Sequence, residues 1–465
     1  MTIENTASPG VNRAVAAPGR LSLYRAIWRW HFFAGLLVIP FLLNLAITGS
    51  IYLFDEEIDQ TFFAHRNVVE PEGTPLAPSV IVGKAMAALP GAPVTAYRTP
   101  AGPDRSARVT LSAAAGGTLV FVNPYSGAVL DQVVAAQEFN QVVEDLHSLD
   151  YFGKPVERII EIVAGFAILL VFTGIFLWWP RQQTGGVVTI RGTASRRVFW
   201  RDLHAVTGIF SAALIVFMAF TGLLWSGYWG SNVNSTLTAA GYGYPAALWD
   251  DVPPSTKVSK DVLSEAGWLI ENAPVPASMV VAQVKGPVAS IGLDRAVEIA
   301  DRAGMLPGYE MALPSGETGV FTAAIFPDNL AYERTIHIDQ YSGKPLVDIA
   351  WRQYPAVGRA IEWGINVHLG QEWGLFNQLL MLATCLAIIL TCVSAVVMWW
   401  KRRPTGRLGV PPMPERWSVY IGLWTLAIVF GLAFPLTGLA IVAMIVVDQM
   451  AGRLSLMVGP LRIGS

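Results

Sequence analysis

The chain has 465 residues, 53% hydrophobic and only 14% charged, a balance outside that of ordinary soluble domains. A net charge of −2, with no basic run interleaved with aromatics, argues against a nucleic-acid partner. The two cysteines, Cys385 and Cys392, lie seven apart in one apolar segment. That is about two helical turns, too far to bridge, and it leaves no disulfide framework or Cys-based metal site.

Residues 1–23 are small, polar and Pro/Gly-bearing and read as a flexible cytoplasmic tail. Five later runs reach the roughly 20 apolar residues that a bilayer span needs. They are Trp30–Phe54, Val156–Trp179, Trp200–Ser226, Glu372–Trp400 and Val419–Val447, within span segments 24–54, 147–181, 200–226, 368–403 and 419–447. The first run is too long for a signal peptide, and Asp55, Glu56 and Glu57 follow it in place of a small-residue cleavage site. It reads as a retained anchor.

Basic residues near span ends set the orientation. Arg13, Arg20, Arg25 and Arg29 precede span one; Arg181, Arg191, Arg196, Arg197 and Arg201 follow span two; Lys401, Arg402, Arg403, Arg407 and Arg416 follow span four. These flanks, with loops 182–199 and 404–418, belong in the cytoplasm. Segments 55–146 and 227–367 are then two outer domains, and the tail 448–465 ends outside. Sixteen tryptophans suit several membrane–water interfaces, and the pairs Trp178-Trp179 and Trp399-Trp400 read as interfacial belt.

The outer domains resemble each other. Each has a helix-like stretch (Pro78–Leu89; Leu293–Met305), then β-rich alternation with a strand–turn–strand element. The turns run Asn123-Pro124-Tyr125-Ser126-Gly127 and Asp339-Gln340-Tyr341-Ser342-Gly343, with Asn/Asp opening and Gly closing as a tight hairpin requires. The second domain carries extra sequence, roughly 231–292, rich in Pro, Gly and Trp. The order span–domain–span, repeated once, predicts an α-helical membrane bundle with a parallel internal duplication and a fifth span.

Four histidines follow the repeat. His31 and His204 each have Gly at +4 (Gly35, Gly208) and Thr-Gly at +17 and +18 (Thr48-Gly49, Thr221-Gly222). His147 and His368 each have Gly at +6 (Gly153, Gly374) and Trp-Trp at +31 and +32. Histidine beside a span is costly unless it binds or moves something. The topology puts His31 and His204 near the cytoplasmic face and His147 and His368 near the outer face. About 24 residues of span, or roughly 35 Å of helix, exclude pairing within one repeat.

Two facing imidazoles in a helical bundle suit a six-coordinate b-type haem, which favours electron transfer over oxygen binding. Two such haems are expected. Gly35 and Gly208 leave room for a flat macrocycle close to the backbone. Arg29 and Arg201 are placed to pair with propionates, although the positive-inside rule already accounts for them. Zinc fits poorly where each pair has no third ligand. His65 and His337 have no repeat counterpart; His337 reads as a surface residue of a strand, and His65 as a weak candidate on the substrate side. The spans lack acids or bases away from their ends, which argues against an ion-coupled transporter. No dinucleotide fingerprint or Walker loop is present, so an electron donor must be a separate quinol or cytoplasmic flavoprotein.

The motifs Trp28-Arg29-Trp30-His31 with Gly35, Leu146-His147-Ser148, Trp178-Trp179-Pro180-Arg181, Trp200-Arg201-Asp202-Leu203-His204 and the Pro-Tyr-Ser-Gly turn give the chain a resemblance, from Tyr24 to Arg403. It resembles the PepSY-associated transmembrane helix family of iron-regulated membrane proteins, and within it the ferric-siderophore reductases. The resemblance implies a di-haem bacterial inner-membrane oxidoreductase, with the four histidines as axial ligands and two periplasmic PepSY-like α+β domains. It implies electron delivery to a ferric siderophore or other ferric chelate in the periplasm, where reduction to Fe(II) loosens a hard-oxygen chelate. The fifth span and the 231–292 insertion depart from the family's four-span core. Two other readings remain: a non-catalytic PepSY-type envelope binding or regulatory protein, and a siderophore or metal permease. Only the first reading requires haem.

Overall fold

The computed structural model describes residues 18–114, 116–181, 185–279, 289–404, 409 and 417–457. Residues 1–17 of the expected N-terminal tail, 458–465 of the C-terminal tail, and Arg13, Arg407 and Arg416 lie outside the described residues, as does most of the loop 404–418. The chain divides into two compact units. One comprises residues 1–40, 165–212 and 390–465, and the other residues 41–164 and 213–389.

Among the described residues, four helices are long and apolar enough to cross a membrane: Leu23–Tyr52, Lys154–Trp178, Arg197–Trp225 and Leu375–Arg402. They belong to α1 (Pro18–Tyr52), α6 (Lys154–Trp178), α7 (Arg197–Gly222) and α11 (Leu375–Arg402). Such lengths follow from runs dominated by Leu, Ile, Val, Phe and Ala, whose backbone N–H groups bond four residues back; α1 continues through Pro40, which has no N–H to give.

The expected fifth span is corrected. Val419–Val447 falls in two helices, α12 (Trp417–Ala433) and α13 (Pro435–Met457). Pro435 cannot donate to the preceding turn but is well suited to open a new helix. Glycines let the two helices approach closely, since a Cβ on Gly438 would lie 2.2 Å from the Gly431 Cα. In the same unit α13 packs on α6, with buried Thr437 against Gly165, and Asp448 forms an ion pair with Arg29 of α1.

In the other unit the strands β1 (Val94–Arg98), β2 (Ala107–Ala113), β3 (Gly116–Val122) and β4 (Val129–Val134) follow the short helices α2 (Asp55–Thr61), α3 (Ala64–Asn67) and α4 (Pro78–Ala88). Helix α5 (Phe139–Ser148) then leads to α6. The second half has α8 (Trp229–Ala239), the small hairpin β5 (Pro254–Val258) and β6 (Pro274–Pro276), α9 (Leu293–Arg302), β7 (Glu310–Ala312), β8 (Val320–Ile325), β9 (Arg334–Asp339), β10 (Pro345–Ala350) and α10 (Ala356–His368).

The sequence predicts two outer domains, but the strands form one sheet. Its order is β10-β9-β8-β7-β1-β2-β3-β4, closed at the centre by antiparallel pairing of Tyr97 with Met311. Each four-strand half would expose a first strand with unpaired backbone groups, and pairing β1 with β7 removes both edges. One core serves both halves. Ile81, Val82 and Ala85 of α4, and Ala296, Val297 and Ala300 of α9, pack on Val109, Leu111, Val120, Met311, Phe321, Ile336 and Ile338.

Strands β8 and β9 are buried on both faces because the insertion covers the second one. Leu263 packs on Ala312 and Ala324 there. This corrects His337, which is buried at 1% exposure and shares a hydrogen bond of 2.9 Å with Thr322 Oγ1. The turns match their sequence signatures. Asn123 and Asp339 each accept two backbone N–H bonds, and Gly127 and Gly343 take φ of +71° and +72°. Tyr125 and Tyr341 donate to the Pro103 and Glu317 carbonyls, which gives both a structural role.

Candidate functional site

His31 and His204 lie on α1 and α7 within one unit. Their ring centroids are 6.4 Å apart, with planes at 89°. An imidazole–metal bond is about 2 Å, so two rings aimed at one metal from opposite sides have centroids roughly 6 Å apart. The observed separation fits that span.

His147 and His368 lie in the last turns of α5 and α10, the short helices that lead into α6 and α11. Helix α5 is preceded by its N-cap Glu138, whose carboxylate accepts from the N–H groups of Asn140 and Gln141. The carbonyl just before each histidine is held by an asparagine: Asn44 donates to Leu146 O at 2.7 Å, and Asn377 to Val367 O at 3.0 Å. Gly153 and Gly374 take positive φ where the chain turns into the following span.

Every Nδ1 of the four has an oxygen partner. His31 meets Thr173 Oγ1 at 2.8 Å, His147 meets Thr48 Oγ1 at 3.0 Å, and His368 meets Thr221 Oγ1 at 2.7 Å. His204 meets the Thr391 carbonyl at 3.0 Å, with Ser394 Oγ at 3.5 Å. Each threonine hydroxyl spends its proton on the carbonyl one turn back: Thr48 on Asn44, Thr173 on Leu169, and Thr221 on Phe217, at 2.6–2.8 Å. The hydroxyl oxygen must then accept from the ring, and a carbonyl can only accept. All four imidazoles are thus fixed as the Nδ1–H tautomer, with the Nε2 lone pair left for a metal.

The surrounding glycines make room. A Cβ on Gly49 would lie 3.2 Å from His147 Cε1, and one on Gly174 or Gly222 would lie 3.4 Å from Cε1 of His31 or His368. A Cβ on Gly35 or Gly208 would meet nothing within 4 Å, which leaves open space one turn beyond His31 and His204. Paired neutral imidazoles, free Nε2 atoms and this space fit a bis-histidine haem. Among the described residues no group of three or more His, Cys, Asp or Glu side chains could hold a metal ion.

The two arginines have other partners. Arg29 is buried against Asp448, and Arg201 pairs with the fully buried Asp202, which also takes Arg191 Nε at 2.8 Å. His65 is exposed and 3.6 Å from Asp131, in a cleft of about 480 Å³ lined also by Phe63, Arg66 and Phe139. Sequence reading missed Thr173, Ser394, Asn44 and Asn377. Thr173 and Ser394 stand 26 residues after His147 and His368, a second matched spacing that the repeat offered. Thr48 and Thr221 were visible as spacing, but not as partners of the opposite pair.

Long apolar helices, a large antiparallel sheet with its helices, and matched histidine pairs define a multi-helix membrane protein with an α+β part. The chain belongs to the family described as PepSY-associated TM region, whose model matches residues 28–402. Comparison with curated proteins finds no match.

Proposed function

We propose that the protein is a di-haem b inner-membrane oxidoreductase that carries electrons from a cytoplasmic or quinol donor to a ferric chelate on the periplasmic side. One observation carries this reading: four histidines, in two pairs, all share the tautomer that frees Nε2. His337 makes the same Nδ1 contact with Thr322, so the tautomer supports a haem in combination with the pairing of the histidines. His31 with His204, and His147 with His368, would hold the two haems, which when bound supply one-electron redox chemistry with both axial positions filled.

The chain's own residues orient and insulate. Thr48, Thr173, Thr221 and the Thr391 carbonyl hold the rings, and apolar span residues keep water from them. A quinol gives up two electrons and two protons, which matches two ferric ions each taking one electron. The Lys and Arg flanks put the His31/His204 pair on the cytoplasmic side in this reading.

The test is a reduced-minus-oxidised visible spectrum of the purified protein, followed by reoxidation with a ferric hydroxamate. Paired b-type bands that bleach as Fe(II) forms are expected. A spectrum without them overturns the reading and favours a non-catalytic binding or regulatory role.

A further inference from the structure

The partners of the four Nδ1 atoms are crossed. Helix α1 carries His31, but its Thr48 holds His147; helix α7 carries His204, but its Thr221 holds His368. Helix α6 follows His147 in the chain, yet its Thr173 holds His31, and α11 follows His368 while its Thr391 and Ser394 hold His204. No ring is tethered by the helix that bears it or by the helix that follows it in sequence.

We propose that Thr48, Thr173 and Thr221 are positioning residues, each setting the basicity and orientation of the imidazole it touches. Thr48 and Thr221 tune the His147/His368 site, and Thr173 tunes the His31/His204 site. This rests on the haem reading above. The argument is chemical: donating Nδ1–H to an oxygen makes Nε2 a stronger base, and a stronger base favours the ferric state. The threonine hydroxyl is suited to this because its proton is already given to a backbone carbonyl, which polarises the oxygen towards accepting. Valine keeps the branched shape but cannot accept; serine keeps the acceptor.

The experiment is a redox titration of the full-length protein carrying Thr48→Val, Thr221→Val or Thr173→Val, with haem content measured on the same samples. His31→Ala and His147→Ala variants assign the two midpoints to their sites. Thr48→Val and Thr221→Val are expected to raise the midpoint of the haem lost in His147→Ala, or to weaken its binding roughly 10–100-fold, and to leave the other unchanged. Thr173→Val is expected to do the reverse, and Thr48→Ser to restore the wild-type midpoint. The inference is overturned if a threonine variant affects the haem of the other pair and not that of the ring it touches, if both midpoints and both haem affinities stay at the wild-type value, or if serine fails to restore. Wild-type protein without haem overturns the functional reading itself, and this inference with it.

Discussion

Thr48 Oγ1 lies 3.0 Å from His147 Nδ1, on the helix that bears His31 seventeen positions earlier. A spacing that marks one histidine thus locates the support of another. The apolar segment is not a passive anchor, since it carries His31 of one pair and a hydrogen-bond partner for the other.

The pairing itself predicts how single variants group. His147→Ala and His368→Ala should each remove the same haem, and His31→Ala and His204→Ala the other. Difference spectra and haem content per chain read this directly. If His31→Ala and His147→Ala proved to remove one common haem, the pairing would be wrong.

The glycines divide into two classes with different expected outcomes. Gly49→Val and Gly222→Val push on the His147 and His368 rings, and Gly174→Val pushes on His31, at an overpacking cost of about 1–3 kcal/mol. Each should deplete the haem of the ring it presses. A Cβ on Gly35 or Gly208 meets no protein atom within 4 Å, and in Gly35→Leu and Gly208→Leu thermal stability without haem is expected to hold while haem at His31/His204 declines. Full haem occupancy in both leucine variants would show that the open space is not where the macrocycle lies.

Glu362 of α10 is buried, its Oε1 accepting the Leu269 N–H at 2.9 Å. Burial raises its pKa from 4.5 to about 7, and burial with Glu362 raises that of Glu333 well above the carboxylate range. Between these values the folded chain keeps protons that the unfolded chain has released. Stability is then full at low pH and is lost as pH rises through about 7. Glu362→Gln should flatten this dependence and melt later than the parent at pH 8. Parallel melting-temperature curves for parent and variant would refute the assignment.

Arg29 and Asp448 form a buried pair at the base of the C-terminal helices. Replacing either by Ala strands a charge, for which about 3–5 kcal/mol is expected. The double variant should lose clearly less than the sum of the singles, read as a double-mutant cycle in denaturant titration. Strict additivity would mean that the pair is not coupled.

Sequence alone determined the apolar helices α1, α6, α7 and α11, the hairpin turns at Gly127 and Gly343, the helices α4 and α9, and the matched histidines. Each depends on local periodicity, on positive φ, or on the cost of a polar residue beside a span, and all three are written in neighbouring residues. Three features needed tertiary structure. The joining of β1 to β7 is a contact between strands more than 200 residues apart. His337 is buried because a distant insertion covers its face, and no alternation pattern records that cover. The tautomer of each candidate ligand is decided by a hydroxyl or carbonyl on another helix, since a ring nitrogen takes its proton state from whatever oxygen the packing brings beside it.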